Sequence, residues 1–199
     1  MAKTNRHLIL FLKAPRYGAV KSRLARDVGP LAAWIFYRRT LQATFRRLGR
    51  DRRWQTWVAL APDRARFRPS PRRTFAQGPG DIGRRMARAL GHPPPGPAVL
   101  IGGDIPAVRP AHVAEAFRRL GAHDAVFGPA LDGGYWLVGF SRRRPILKAA
   151  FTGVRWSSRH ALADTLANLR RARVAPPLPQ LEDIDDGQAL ARFISPGAR

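Results

Sequence analysis

The sequence predicts an α/β domain centred on a parallel or mixed sheet, and three observations carry that prediction. Leu8-Ile9-Leu10-Phe11-Leu12 is apolar on both faces, which suits a strand buried in the middle of a parallel sheet rather than a half-exposed hairpin strand. Further short apolar runs recur along the chain, among them WVALA at Trp57–Ala61 and AVLI at Ala98–Ile101. Helical patterns separate them, and strands alternating with helices of this length indicate an α/β sheet. The 199 residues, 45% of them hydrophobic, can bury a core without staples, and residues 1–199 are expected to form one domain.

The first strand is stopped by Pro15 and Gly18, in a loop carrying Lys13, Arg16, Lys21 and Arg23 before a helical pattern from Val20. Open α/β sheets place anionic ligands at such a position, so the stretch reads as a nucleotide-phosphate loop. Leu31, Trp34, Ile35, Leu41, Phe45 and Leu48 recur at three- and four-residue spacing, an amphipathic helix whose stripe belongs on the sheet. Trp57–Ala61 is the second strand, closed by Pro62; Asp63 to Arg73 reads as a surface connection and Thr74 to Gln77 as a short strand. GPGDIG, Gly78 to Gly83, opens a helix through Met86, Ala89 and Leu90, which HPPPGP ends. The AVLI strand runs directly into Gly102-Gly103-Asp104-Ile105-Pro106. Val113, Phe117 and Leu120 mark a helix, Ala125–Gly128 and Tyr135–Phe140 two strands, and Leu162, Leu166 and Leu169 a last helix with Ser157 or Ser158 as N-cap.

Composition excludes several classes. There is no cysteine, hence no disulfide, thiolate metal site or thiol nucleophile. No apolar run reaches the ~20 residues of a membrane span and MAKTNRH has no signal-peptide apolar region, so a soluble, cytoplasmic protein without a membrane partner is expected. The formal charge of +23 invites a nucleic-acid reading. Against it, 32 of the 36 cationic residues are arginine, scattered in pairs rather than gathered in one stripe, a pattern that codon bias explains as well as function does. Specific nucleic-acid binding is not expected. The five histidines show no metal-ligand spacing and are assigned surface or capping roles, and no Gly-x-Ser-x-Gly elbow occurs.

Two acidic turns carry the chemistry. In GGDIP the glycines let the backbone approach a ligand, and Pro106 turns the chain so that Asp104 faces the cleft, where it can hold Mg²⁺; an Asx-turn that merely starts a helix is the plain alternative. In Gly128-Pro129-Ala130-Leu131-Asp132-Gly133-Gly134-Tyr135-Trp136 an acid again follows a strand, though Asp132-Gly133 alone is an ordinary hairpin turn. Two carboxylates at strand ends opposite a Lys/Arg loop are the arrangement that holds Mg²⁺ on a di- or triphosphate. GPGDIG also fits the dinucleotide pattern GxGxxG, but the preceding strand is short and polar and the Pro-rich segment interrupts the unit. Trp156 suits either an acceptor-pocket wall or plain core.

KAPRYGAVKSRLA, QGPGDIGRRM, GGDIP and GPALDGGYWLVG, in this order, resemble the nucleotide-diphospho-sugar transferase (GT-A-like) superfamily. The similarity extends through WSSRHALADTL and LEDIDDGQAL. It is nearest to transferases associated with radical-SAM and selenoprotein-type neighbours, with phospholactate and molybdopterin guanylyltransferases more distant. The resemblance implies a three-layer α/β/α fold with a mixed, mostly parallel sheet of about seven strands. It implies a phosphate site in the loop from Lys13 to Arg23, including Ala14, Pro15, Gly18 and Lys21. Gln77, Gly78, Gly80, Asp81 and Gly83 would line the base and ribose beside Gly103. Asp104 and Asp132 would hold Mg²⁺ or Mn²⁺, with Asp185 as a further candidate ligand and Asp183 in the same late acidic motif. Gly133, Gly134, Tyr135 and Trp156 would face the acceptor. Gly187-Gln188-Ala189 departs from the more acidic sequence expected after Asp185. Gly-Asp-x-Pro is the nucleotidyltransferase form, whereas glycosyltransferases of this fold usually carry Asp-x-Asp at that position. The expected activity is therefore metal-dependent nucleotidyl transfer from a nucleoside triphosphate to a phosphorylated small molecule, with Lys21, Arg23 and Asp104 catalytic. Glycosyl transfer from a nucleotide-sugar and non-catalytic nucleotide or polyanion binding are the alternatives.

Overall fold

The computed structural model describes residues 5–66 and 73–194. Strands β1 (His7–Lys13), β2 (Gln55–Ala61), β3 (Thr74–Ala76), β4 (Ala98–Gly102), β5 (Ala125–Pro129) and β6 (Tyr135–Phe140) form one sheet in the order β3-β2-β1-β4-β6-β5. Every pairing is parallel except those of β6, which runs antiparallel to β4 and β5 because a tight turn joins it to β5. The apolar run Leu8–Leu12 does occupy the centre: β1 pairs with β2 on one side (Leu10 with Val58) and β4 on the other (Leu10 with Ile101).

Helices cover both faces. Leu8, Leu10 and Leu12 point into a core with α2 (Pro30–Leu48) and α4 (Pro110–Arg119), where Leu41, Phe45, Val113 and Phe117 are buried. Ile9 points the other way, to Met86 and Leu90 of α3 (Ile82–Gly91) and Ala150 of α5 (Leu147–Ala150). The mixed, mostly parallel three-layer fold is thus the one expected. On α2 the buried stripe runs Ala33, Tyr37, Leu41, Thr44 and Leu48, while Leu31 is exposed. A short helix α1 (Ser22–Val28) precedes it. The last predicted helix, α6 (Ala161–Ala167), starts at His160 rather than at a serine: Ser158 Oγ accepts from His160 N–H but does not cap the helix, and Leu166 is exposed where a buried stripe was expected. His7 is likewise not on the surface but buried, its Nδ1 accepting from Trp57 Nε1 at 3.2 Å. Of the surface connection expected from Asp63 to Arg73, residues 67–72 lie outside the described residues. Among the described residues no helix is long and apolar enough to cross a membrane.

Among the described residues six strands stand where about seven were expected, and prolines explain the difference. The segment after α6 lies along β5, yet only Ala175, Leu178 and Leu181 donate to it, to Ala125, Phe127 and Pro129 carbonyls at 2.9, 2.9 and 3.2 Å. Pro176, Pro177 and Pro179 have no N–H, so the segment bonds at every third residue, the polyproline period, and cannot complete a ladder. It then leads into α7 (Gly187–Ile194), which docks on α1: Gly187 N–H donates to Asp27 Oδ2 at 2.7 Å.

Asp124 anchors the start of this segment, accepting from Arg173 N–H at 3.0 Å with Arg144 at 3.4 Å. The Arg173 N–H bond, outweighing burial, and then Arg144 hold its carboxyl below the usual range. Asp124→Ala is expected to lower stability by about 1–3 kcal/mol at pH 7, since it strands a backbone donor. A depressed native pKa means that this stabilisation is present above pH 3.8, the ordinary carboxyl value, and is lost as pH falls through the native pKa. The gap in melting temperature between parent and variant should therefore narrow from pH 5 to pH 2, which thermal denaturation followed by circular dichroism would measure.

Candidate active site

Parallel pairing of β1 with β4 sets their carboxyl ends side by side, Phe11 opposite Gly102. The basic loop and GGDIP thus leave the sheet at one edge. Helix α2 holds the loop: Trp34 Nε1 donates to Pro15 O at 2.7 Å, and Tyr37 hydroxyl donates to Lys13 O at 2.9 Å. Burial, and next the Asp104 carboxylate, raise the Tyr37 pKa, so it stays a neutral donor. Gly103 lets the second motif pass close to the core, because a Cβ there would lie 2.2 Å from Leu12 Cδ2 and 2.5 Å from Leu41 Cδ2.

Lys21 is at the centre. Its backbone is left-handed, φ 51° and ψ 49°, which costs a non-glycine residue on the order of 1–3 kcal/mol. Its ammonium lies 2.9 Å from Asp104 Oδ2 and 2.5 Å from Asp185 Oδ1, and its side chain is 5% exposed against 36% and 42% for the carboxylates. Burial alone would depress the Lys21 pKa, but Asp104 and then Asp185 outweigh it and hold the group charged. Asp183 has the opposite fate: burial, then the carboxylates of Asp185, Asp132 and Asp104, push it up to about 6 against the pull of Lys21. The late acidic motif is therefore brought to GGDIP, and the cluster carries more negative charge than one ammonium offsets.

A cleft of about 450 Å³ opens over this cluster, lined by Lys13, Lys21, Arg23, Gln77, Arg85, Gly103, Asp104 and Asp185 among others. A larger cavity, about 1130 Å³, lies along the other side of α3, lined by Arg84, Arg88, Arg142 and Phe151 among others. Arg142 and Arg88 there hold carbonyls of neighbouring loops, and neither Lys21 nor Asp104 borders it, so the smaller cleft is the candidate site. Among the described residues no three acidic or imidazole groups converge to chelate a metal unaided. The donor set nevertheless fits Mg²⁺ or Mn²⁺, since such a cation needs only one or two carboxylates when phosphates and water complete its shell, and Asp104 and Asp185 both border the cleft.

The expected nucleotide residues separate. Lys13, Lys21, Arg23, Gln77 and Gly103 border the cleft, with Ala14, Pro15 and Gly18 in the loop behind it. Gln77 Nε2 donates to Leu12 and Ala59 carbonyls, both at 2.9 Å, and its Oε1 accepts from Arg85, so its amide ties β1 to β2. Gly78 N–H donates to Asp63, Gly80 precedes the cap, and Asp81 caps α3 by accepting from Arg84 N–H at 2.8 Å. Gly83 faces away from the cleft: a Cβ there would meet the Trp156 ring at 2.6 Å. Trp156 packs on Phe151 in the core of that face, and Tyr135 is largely buried with its ring edge-on to Phe127. Asp132 Oδ1 accepts from Gly134 N–H at 2.9 Å, inside the turn that joins β5 to β6, as the hairpin reading has it, while its charge still reaches Asp183. Sequence reasoning missed Tyr37 and Arg85. The signal available for Arg85 was its place one helical turn past the Asp81 cap.

A profile of the family described as "Uncharacterized protein conserved in bacteria" (DUF2064) matches residues 44–158. The chain belongs to the DUF2064 family. The matched span holds Gln77, Asp104 and Asp132; Lys21 and Asp185 flank it. A crystal structure from Desulfovibrio desulfuricans G20, described as a proposed nucleotide-diphospho-sugar transferase, is similar with a TM-score of 0.86 and 29% identity, over 97% of this chain and 88% of that one. A 4-diphosphocytidyl-2C-methyl-D-erythritol synthase from Anaerococcus prevotii DSM 20548 gives a TM-score of 0.59 at 10% identity, over 98% and 99%. Rv0371C of Mycobacterium tuberculosis H37Rv, solved in complex with manganese, gives 0.54 at 19%, over 96% and 99%. The last two establish the fold alone. No curated protein sequence matches this DUF2064 chain.

The turn beside Asp132 is the least tolerant part of the site. Gly133 has φ 83°, and a Cβ would lie 2.3 Å from the Arg159 carbonyl oxygen, whereas at Gly134 it would meet only Asp132 Oδ1 at 3.1 Å. Gly133→Ala should cost on the order of 2 kcal/mol or more and Gly134→Ala less. Urea denaturation of the two variants would check the order.

Proposed function

We propose that residues 1–199 act as one divalent-metal-dependent transferase with a nucleotide substrate, most simply moving a nucleoside monophosphate from a triphosphate to a phosphorylated small molecule. The observation that carries this reading is Lys21 held between Asp104 and Asp185 at the carboxyl edge of the central parallel strands. The cleft beside it adds Lys13, Arg23 and Arg85, and Arg85 keeps a charge that its partner, the Gln77 amide, does not neutralise.

In this mechanism Asp104 and Asp185, with Asp132 and Asp183 near by, would hold the metal, Mg²⁺ or Mn²⁺. When bound, that ion would screen the phosphate oxygens and withdraw charge from the α-phosphorus. Lys13, Lys21 and Arg23 would embrace the β- and γ-phosphates, and Lys21 and Arg23 would offset the charge that grows on departing pyrophosphate. The acceptor oxygen would attack the α-phosphorus in line. No side-chain nucleophile is needed, which agrees with a chain lacking cysteine. Glycosyl transfer from a nucleotide-sugar is the second reading, favoured by the description of the D. desulfuricans protein.

A thermal-shift screen of nucleoside triphosphates and nucleotide-sugars, with and without Mg²⁺, identifies the ligand: at 100 times its dissociation constant it should stabilise by about 2.7 kcal/mol. Pyrophosphate released from a triphosphate marks nucleotidyl transfer, free nucleoside diphosphate marks glycosyl transfer, and saturable binding without turnover rejects both. Asp104→Asn keeps the shape of the turn and removes one charge. Its melting temperature should stay near the parent's while turnover falls by on the order of 10² or more. Parent-like, Mg²⁺-dependent turnover in that variant would remove Asp104 from the mechanism.

A further inference from the structure

We propose that Lys21 makes metal uptake conditional on a polyphosphate, so that the substrate enters as the metal–polyphosphate complex and free metal is refused. This rests on the transferase reading above. The two carboxylates that would hold the metal are already occupied by one ammonium, at 2.9 and 2.5 Å. That ammonium's side chain is nearly fully buried. A free divalent ion arriving at Asp104 and Asp185 would take both anionic partners from an ammonium that is itself only 5% exposed and leave it beside a second cation. Phosphate oxygens arriving with the metal change the balance, because they accept the ammonium as it leaves the carboxylates. Lys21 can make this exchange by rotating its side chain within one cleft, since its left-handed backbone already fixes the stem there. Metal and phosphate thus bind with positive coupling through Lys21, and the coupling is reciprocal.

The test is Mn²⁺ binding, followed by the paramagnetic signal of free Mn²⁺, for parent, Lys21→Met and Lys21→Gly. Lys21→Met keeps the bulk of the side chain, and Lys21→Gly relieves the left-handed backbone, so folding is protected in at least one of them. Without phosphate the parent should bind Mn²⁺ weakly, and both variants should bind it more tightly by on the order of tenfold or more. Inorganic triphosphate should then be held more weakly by the variants than by the parent in the presence of Mn²⁺. Folded variants that bind Mn²⁺ no better than the parent would overturn the coupling. If the parent binds neither nucleoside triphosphates nor nucleotide-sugars with Mn²⁺, the transferase reading falls and this proposal with it. A parent that binds them while neither variant gains Mn²⁺ affinity rejects the coupling alone.

Discussion

The Lys21 ammonium joins Asp104, 83 residues away in sequence, to Asp185, 164 residues away. It brings together the loop after β1, the turn after β4 and the segment that follows the sheet, none of which pairs with another through a backbone ladder. Because both carboxylates are about a third or more exposed, water screens the attraction and the pair adds little to global stability. Its effect is positional. Without the ammonium, Asp104 and Asp185 would lose the cation they share, and Asp183, pushed up to about 6 first by burial and then by the neighbouring carboxylates, would lose the one charge that lowers it. A site that stores negative charge and keeps it mutually unfavourable is one that gains most from a bound cation.

The arginine excess has a use besides charge. Proline carbonyls accept hydrogen bonds but the ring supplies no donor in return, so a chain with 18 prolines leaves carbonyls in its loops to be satisfied. Arginine offers five donors in a fixed fork. Arg142 collects Leu90, Pro93 and Gly96 carbonyls together with Pro94 where α3 ends, Arg119 takes Pro176 and Pro177, and Arg88 takes Pro79. Arg119 thereby fastens the proline-rich segment that delivers Asp183 and Asp185. Charge scattered through the sequence as Arg pairs is, at these positions, loop bracing.

What was legible in the sequence follows the range of the interactions. Buried strands announce themselves by local apolar runs, and Tyr135–Phe140 has the bounds the pattern predicts. Asp104 and Lys21 stood out because glycines and prolines fix their turns locally. Partners set by long-range packing left no such mark: nothing near Lys21 specifies Asp185, and nothing near Tyr37 specifies the Lys13 backbone. Gly83 was assigned to the cleft for the same reason, though it packs on Trp156, which took the core position that was one of its two readings. A glycine that admits an aromatic ring across a helix reads, in one dimension, like a glycine that admits a ligand. Leu31 failed differently, since a helix stripe near an N-terminus can run past the edge of the sheet it covers.

The floor of the cleft and its walls are built to different tolerances. Below, Gln77 bonds to carbonyls of β1 and β2, the Tyr37 hydroxyl bonds to Lys13, and Gly103 leaves no room for a side chain against Leu12 and Leu41. Each contact is buried and hydrogen-bonded or close-packed, so movement there would break bonds that water cannot replace. Above, Asp185 comes from the chain after the proline-rich segment beside β5, and Lys21 and Arg23 line the cleft from the loop after β1 and the start of α1. In the proposed mechanism such a floor would define where the α-phosphorus sits while the groups above it exchange partners. On the proposed reading, position is set by the sheet, and the response to ligand falls to Lys21 and the late acidic motif, whose ion pair a ligand would have to exchange.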